Sequence, residues 1–145
     1  MSPENATVLR NHRPDTALSA KFSIEFAMAA ALVARKAGLA ELDDEFVRSE
    51  KVQALYERVH VTPDSNGDPE SPGSAITDRV VVTTSDGRRH ESAAVRYARG
   101  HAKLPLGKAD LRAKFVDCLR YGRYEGDAAA LFEKLDSMDS LAAGL

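Results

Sequence analysis

Between residues 19 and 34 the chain runs Ser-Ala-Lys-Phe-Ser-Ile-Glu-Phe-Ala-Met-Ala-Ala-Ala-Leu-Val-Ala, rich in Ala, Leu and Met and free of Pro and Gly. This run predicts one long helix, with Ser19 as N-cap, Arg35 and Lys36 in its last turn and Gly38 just past its end. At about 100° per residue, Phe22, Phe26 and Val33 fall on one narrow stripe, and Ile24, Met28 and Leu32 form a second on the opposite side. A helix apolar on two opposed faces is normally buried between two layers. Ser23, Ala27, Ala30 and Ala34 make a file of small residues between the stripes, and Lys21 is spaced to pair with Glu25.

The patterning elsewhere is more local. Residues 1–14, with Pro3, Asn5, Asn11 and Pro14, suggest a loose arm with a short extended piece at 6–10. Ser49 caps a short amphipathic helix carrying Val52, Leu55 and Tyr56, and Asp43, Asp44 and Glu45 suit a helix start. Val59-His60-Val61-Thr62 alternates as a strand and stops at Pro63, before a polar loop over 63–75. The β-branched run around Val80-Val81-Val82-Thr83-Thr84, followed by Asp86-Gly87, predicts a hairpin over 77–97. A helix over about 108–121 places Leu111, Phe115, Cys118 and Leu119 on one side and ends at Gly122. A last helix runs from Asp127 to about Ser140 with Leu131, Leu135 and Met138 on a stripe.

The expected architecture is therefore α+β: a small antiparallel sheet of about three strands packed on a long buried helix, plus C-terminal helices. Residues 15–145 are expected to form a single domain behind the arm. Such a sheet covers one face of the helix and leaves the second layer short. Exposing Ile24, Met28 and Leu32 together would forfeit roughly 1.5–3 kcal/mol per side chain. A partner surface is expected, either another copy of the chain or a different protein.

Composition narrows the function classes. The 145 residues are 43% hydrophobic and 29% charged, with a formal net charge of −2 and a pI near 6.1. No broad basic field is available for nucleic acid. The single cysteine, Cys118, excludes an intramolecular disulfide, and no apolar run has the flanks of a signal peptide or the length of a membrane span. A cytoplasmic location with no membrane association is the simplest reading.

Spacing alone assembles no nucleophile–base pair, phosphate loop or metal cluster. Lys21 and Ser23 at a helix start are candidates to hold a carboxylate, because free N–H groups and the helix dipole favour an anion there. The competing reading pairs Lys21 with Glu25 and packs Ser23 in the small-residue seam. His101, beside Gly100 and Lys103, is an anion-binding or acid–base candidate if it faces a cleft and a solvated loop residue otherwise. His60 has no second ligand near it in sequence, so no metal role is assigned. Arg88-Arg89-His90 reads as a solvated hairpin tip and Cys118 as a small hydrophobe. No calcium-loop spacing occurs at Asp43–Glu45.

The segment Ala20-Lys21-Phe22-Ser23-Ile24-Glu25-Phe26-Ala27-Met28-Ala29-Ala30-Ala31-Leu32, preceded by Pro14, resembles the C-terminal domain of the MmgE/PrpD family. Val52–Val61, the Asp86-Gly87 hairpin, Gly100-His101-Ala102-Lys103-Leu104-Pro105-Leu106 and Leu111-Arg112-Ala113-Lys114-Phe115 follow in the same order, so the resemblance covers about residues 14–140. That family includes 2-methylcitrate dehydratase, cis-aconitate decarboxylase and iminodisuccinate epimerase. The resemblance implies a lid domain of a lyase or isomerase acting on small polycarboxylates, without a metal or other cofactor. It also implies that most catalytic residues lie in a helical domain and a first part of the lid that match nothing here. No catalytic residue is assigned, and activity is expected to need a separately encoded helical-domain chain. The missing start of the lid would be replaced, left as an open edge or supplied by a neighbouring molecule. Lys21, Ser23, Phe26 and His101 are the implied substrate-side residues, and Phe26 stands where the decarboxylase has a tyrosine, so that hydroxyl is absent. The alternative is a non-enzymatic, self-associating binding or assembly module.

Overall fold

The computed structural model describes residues 1–138. They fall into two compact units, Met1–Ala98 and a second that begins at Arg99. The first unit begins with α1 (Pro3–Val8), where an extended piece was expected. Pro3 stands at the first helical turn, where its missing N–H costs nothing, and the Ser2 hydroxyl accepts from the Asn5 N–H at 3.1 Å. Ser2 is buried and donates in turn to the Gly73 carbonyl at 2.7 Å, so this end of the chain is tied down.

The expected long helix is two helices, α2 (Ala17–Ala20) and α3 (Ile24–Ala34). Ser19 is not the cap of a continuous helix. Thr16 caps α2, and Ser19 completes a reciprocal capping box with it. Ser23 takes extended backbone angles, and its hydroxyl accepts from the Phe26 N–H at 3.1 Å, so it starts α3 anew. A serine that captures a nearby N–H competes with the helix ladder, which explains the break. At the far end Arg35, in the left-handed region with φ 58°, closes α3 three residues before Gly38.

Two short helices follow, α4 (Asp44–Arg48) and α5 (Glu50–Tyr56). Asp43 caps α4 through the N–H groups of Glu45 and Phe46, and acids fill its first turn as the sequence suggests. α5 begins after Ser49 and buries Val52 and Tyr56. Its packing against α3 makes the core: Ala20, Phe26, Ala29, Ala30, Val47, Val52 and Tyr56, with Leu42, Phe46 and Leu55 around them. Ala29 and Ala30 present almost no bulk, so the α5 side chains sit close to the α3 backbone. Phe26 meets Phe46 edge to face, with centroids 6.3 Å apart. Phe22 and Val33, placed on the same stripe by periodicity, are substantially exposed. The break at Ser23 removes Phe22 from the helix altogether.

The strands form two antiparallel pairs rather than one three-stranded sheet. Within the polar segment over 63–75, β1 (Gly67–Asp68) pairs with β2 (Ser71–Ala75). Arg96 forks onto the buried Asp68 carboxylate with two bonds of 3.2 Å and tethers the far end of the hairpin to this pair. The hairpin itself is β3 (Val81–Thr83) and β4 (Arg89–Glu91), in the register Val82↔His90. Its turn follows the Asp86-Gly87 signal: Gly87 has φ 84°, and Thr84 exchanges backbone contacts with Arg88 and Gly87. Residues 59–62 form no strand and pair with none, which corrects the expected third strand.

In the second unit, α6 (Lys108–Tyr121) and α7 (Ala128–Asp136) form a helical hairpin. Gly122 ends α6 and Asp127 caps α7 through the N–H groups of Ala129 and Ala130. Phe115 and Phe132 meet at 5.5 Å between centroids, and Lys108 bridges to Asp136 and Glu133. Cys118 is exposed rather than packed on the apolar side of α6. The end of the last helix, expected near Ser140, lies outside the described residues.

Candidate functional site

The start of α3 is the most chemically loaded place in the first unit. Glu25 sits at its second helical position with its side chain only 7% exposed. A carboxylate is not buried without partners, and the N-terminal end of the helix dipole contributes to holding it there. Its Oε2 accepts from the Ser23 hydroxyl at 3.2 Å, and its Oε1 receives His12 Nδ1 at 2.7 Å. A carboxylate can only accept, so Nδ1 carries the proton, on an imidazole whose side chain is 71% exposed. The arrangement is a carboxylate–imidazole pair: a buried carboxylate orienting an exposed imidazole.

The expected Lys21–Glu25 pair does not form. Glu25 is engaged by His12 from a segment thirteen residues earlier, and Lys21 stays exposed with no ion-pair partner among the described residues. Tyr56 stands on the core side of the same carboxylate. Burial, reinforced by the Glu25 charge, pushes its hydroxyl up to about 12.

Of the four residues proposed from sequence, Lys21, Ser23 and Phe26 are brought together on the α2–α3 junction, in unequal roles. Lys21 is at the surface, Ser23 is buried as the cap, and the Phe26 ring is in the core. His101 belongs to the second unit. There its Nδ1 accepts from the Lys103 N–H at 3.0 Å, within a tight turn closed by the Gly100 and Leu104 backbone. Sequence reasoning passes over His12, because nothing local connects it to Glu25. The only available signal is a glutamate inside an otherwise apolar helical run, which demands a partner from somewhere.

A second feature of the first unit is an open groove of ≈ 1460 Å³. Ile24, Met28 and Leu32, the second stripe of α3, line it together with Leu55, residues Val59–Thr62 and the β3 region Asp78–Ser85. The stripe for which the sequence offered no second layer is indeed only partly covered. Among the described residues no group of His, Cys, Asp or Glu gathers as a metal site, and no helix is long and apolar enough to cross a membrane.

Residues 1–137 match the family model for the MmgE/PrpD C-terminal domain. The chain belongs to this family. The match begins at the first residue and takes in α1 and the segment bearing His12. It also takes in both helices of the second unit as far as residue 137. No individual curated protein matches the chain. The carboxylate–imidazole pair at the start of α3 and the groove along its opposite stripe are thus two features of one MmgE/PrpD C-terminal domain.

Proposed function

We propose that this domain is the lid and substrate-positioning part of a lyase or isomerase of the MmgE/PrpD type, acting on small polycarboxylates in a cleft completed by a helical domain. Family membership supports the reaction class. The observation that carries the reading is Lys21: its nearest helical carboxylate is engaged by His12, so its ammonium stays available at the start of α3. A substrate carboxylate there would meet a cation close to a helix start. The exposed imidazole of His12 supplies a second polar group on the same segment of the fold. Ser23 acts through its cap, by fixing where α3 begins. Phe26 acts as packing beneath the site, since its ring is in the core. His101 belongs to the second unit and is kept as a separate anion-binding candidate there. No metal or other cofactor is invoked.

The test mixes the chain with a helical-domain chain of the family and follows the unsaturated acid product by absorbance. Activity from the mixture and from neither chain alone, reduced by Lys21→Ala chiefly through a raised KM, is the expected result. A mixture that forms a complex but converts no polycarboxylate, or a Lys21→Ala variant with unchanged kinetics, contradicts it. The alternative reading, a non-enzymatic binding or assembly module, is favoured by one observation, the open apolar groove.

A further inference from the structure

We infer that Asn66 is a site of spontaneous succinimide formation in the folded chain, through attack of the Gly67 backbone nitrogen on the Asn66 side-chain amide. The inference stands on the β1–β2 pair and does not rest on the catalytic reading. Asn66 and Gly67 are both exposed, at the start of a two-stranded sheet. The Ile76 N–H donates to the Asn66 carbonyl at 3.3 Å, and the adjacent residues in register are Gly67↔Ala75. A bond in that place makes Gly67↔Ala75 a non-hydrogen-bonded pair of the ladder. The Gly67 N–H therefore turns to the outer edge of β1, where no further strand pairs among the described residues. Beyond its chain neighbours, no atom lies within 4 Å of the place a Gly67 Cβ would take. The attacking nitrogen is thus uncommitted, and with no side chain on Gly67 its approach is unhindered.

Water is the sole co-reactant. The Gly67 nitrogen bonds to the Asn66 Cγ, the Cγ–Nδ2 bond breaks, and the amide nitrogen leaves as ammonia with the Gly67 proton. Water then opens the ring. Opening at Cγ restores the backbone and leaves aspartate. Opening at the backbone carbonyl leaves isoaspartate, whose main chain runs through Cβ and Cγ. Either product adds a negative charge between Asp64 and Asp68 in sequence. The isoaspartyl form also turns the carbonyl that accepts from Ile76 into a carboxylate and lengthens the chain, so β1 loses its register with β2. Bonds hold back the comparable residues. Asp86-Gly87 is the other acid or amide–glycine step of this kind, and there the Gly87 N–H donates to the Thr84 carbonyl at 2.9 Å. The Asp86 carboxylate is itself engaged by the Thr84 hydroxyl and by Arg88. Asn5 precedes Ala6, whose N–H donates to the Ser2 carbonyl, and the Asn11 side-chain amide donates to the Ser19 carbonyl.

The test incubates the intact chain in mildly alkaline buffer and follows it by peptide mass mapping and by labelling with an isoaspartyl methyltransferase. The expected result is conversion at residue 66, with isoaspartate among the products, while Asn5 and Asn11 stay intact. Gly67→Ala fits the open space and should slow conversion at least about tenfold, because a Cβ restricts the backbone rotation that closes the ring. Asp86→Asn puts the same amide–glycine step on the hairpin turn. In the folded variant residue 86 should react at least about tenfold more slowly than residue 66, and in urea the two should react alike. Amide exchange at Ile76 should quicken as isoaspartate accumulates. Absence of conversion at residue 66 in the folded chain overturns the inference. So does a product that is aspartate alone, which signals direct hydrolysis, or a Gly67→Ala variant that converts as fast. A folded Asp86→Asn chain that reacts equally at both sites, or Ile76 exchange that isoaspartate leaves unchanged, contradicts the pairing on which it rests. The map of the unsubstituted chain keeps the test decisive if either variant fails to fold.

Discussion

Glu25 is a carboxylate on the packed side of α3, and its position there depends on two donors, the Ser23 hydroxyl and the His12 imidazole. Removing one donor leaves the other to carry a largely desolvated charge. His12→Ala is therefore expected to cost about 1–3 kcal/mol in urea unfolding, with His12→Asn recovering part of the loss. A loss below the error of the measurement would mean that Glu25 is solvated in a way this geometry excludes. Tyr56 gives a pH signature of the same neighbourhood. Its folded-state pKa, about 12, lies above the ordinary value of 10.0, because burial and the Glu25 charge disfavour the phenolate. Above pH 10 the unfolded chain releases this proton while the folded chain keeps it. Stability should therefore fall as pH rises from about 10 to about 12. Tyr56→Phe should flatten that alkaline slope, at a neutral-pH cost of no more than about 1 kcal/mol, since its bond to the Val47 carbonyl is long at 3.5 Å. An unchanged slope in the variant would assign the alkaline loss to other groups.

At the scale of elements, caps decide where the helices begin. Ser23→Ala removes both the cap of α3 and a hydrogen bond to Glu25. It is expected to lower the unfolding free energy by about 1–2 kcal/mol, whereas conventional capping by Ser19 of one long helix would make Ser19→Ala the costlier change. The hairpin, α5, α6 and the Asp43 cap were legible in the sequence because each rests on local chemistry: Asp86-Gly87, the Val52–Tyr56 spacing, Gly122 and a short acidic side chain. The break at Ser23 was not, because every residue from 19 to 34 tolerates a helix and a hydroxyl settles the competition. Residues 59–62 have the composition of a strand, yet a strand exists only when another pairs with it, and that partner is not determined locally. The site was half legible for the same reason. Lys21 and Ser23 follow from the position of a helix start, while the His12–Glu25 contact joins segments that share no pattern.

At the scale of the whole molecule, the account is of an MmgE/PrpD C-terminal domain whose first unit folds around the α3–α5 core and carries an unfilled groove on the opposite stripe of α3. Ile24 and Met28 are half-buried and Leu32 more open, so covering the groove would bury further apolar surface. The lid reading makes this domain the smaller part of a cleft that a helical domain completes. Light scattering over a dilution series, with and without a helical-domain chain of the family, tests this most directly. The account predicts the mass of one chain at every dilution when alone and a one-to-one complex once the partner is present. A homo-oligomer that persists on dilution, ignores the added chain and is dissolved by Met28→Asp would contradict it.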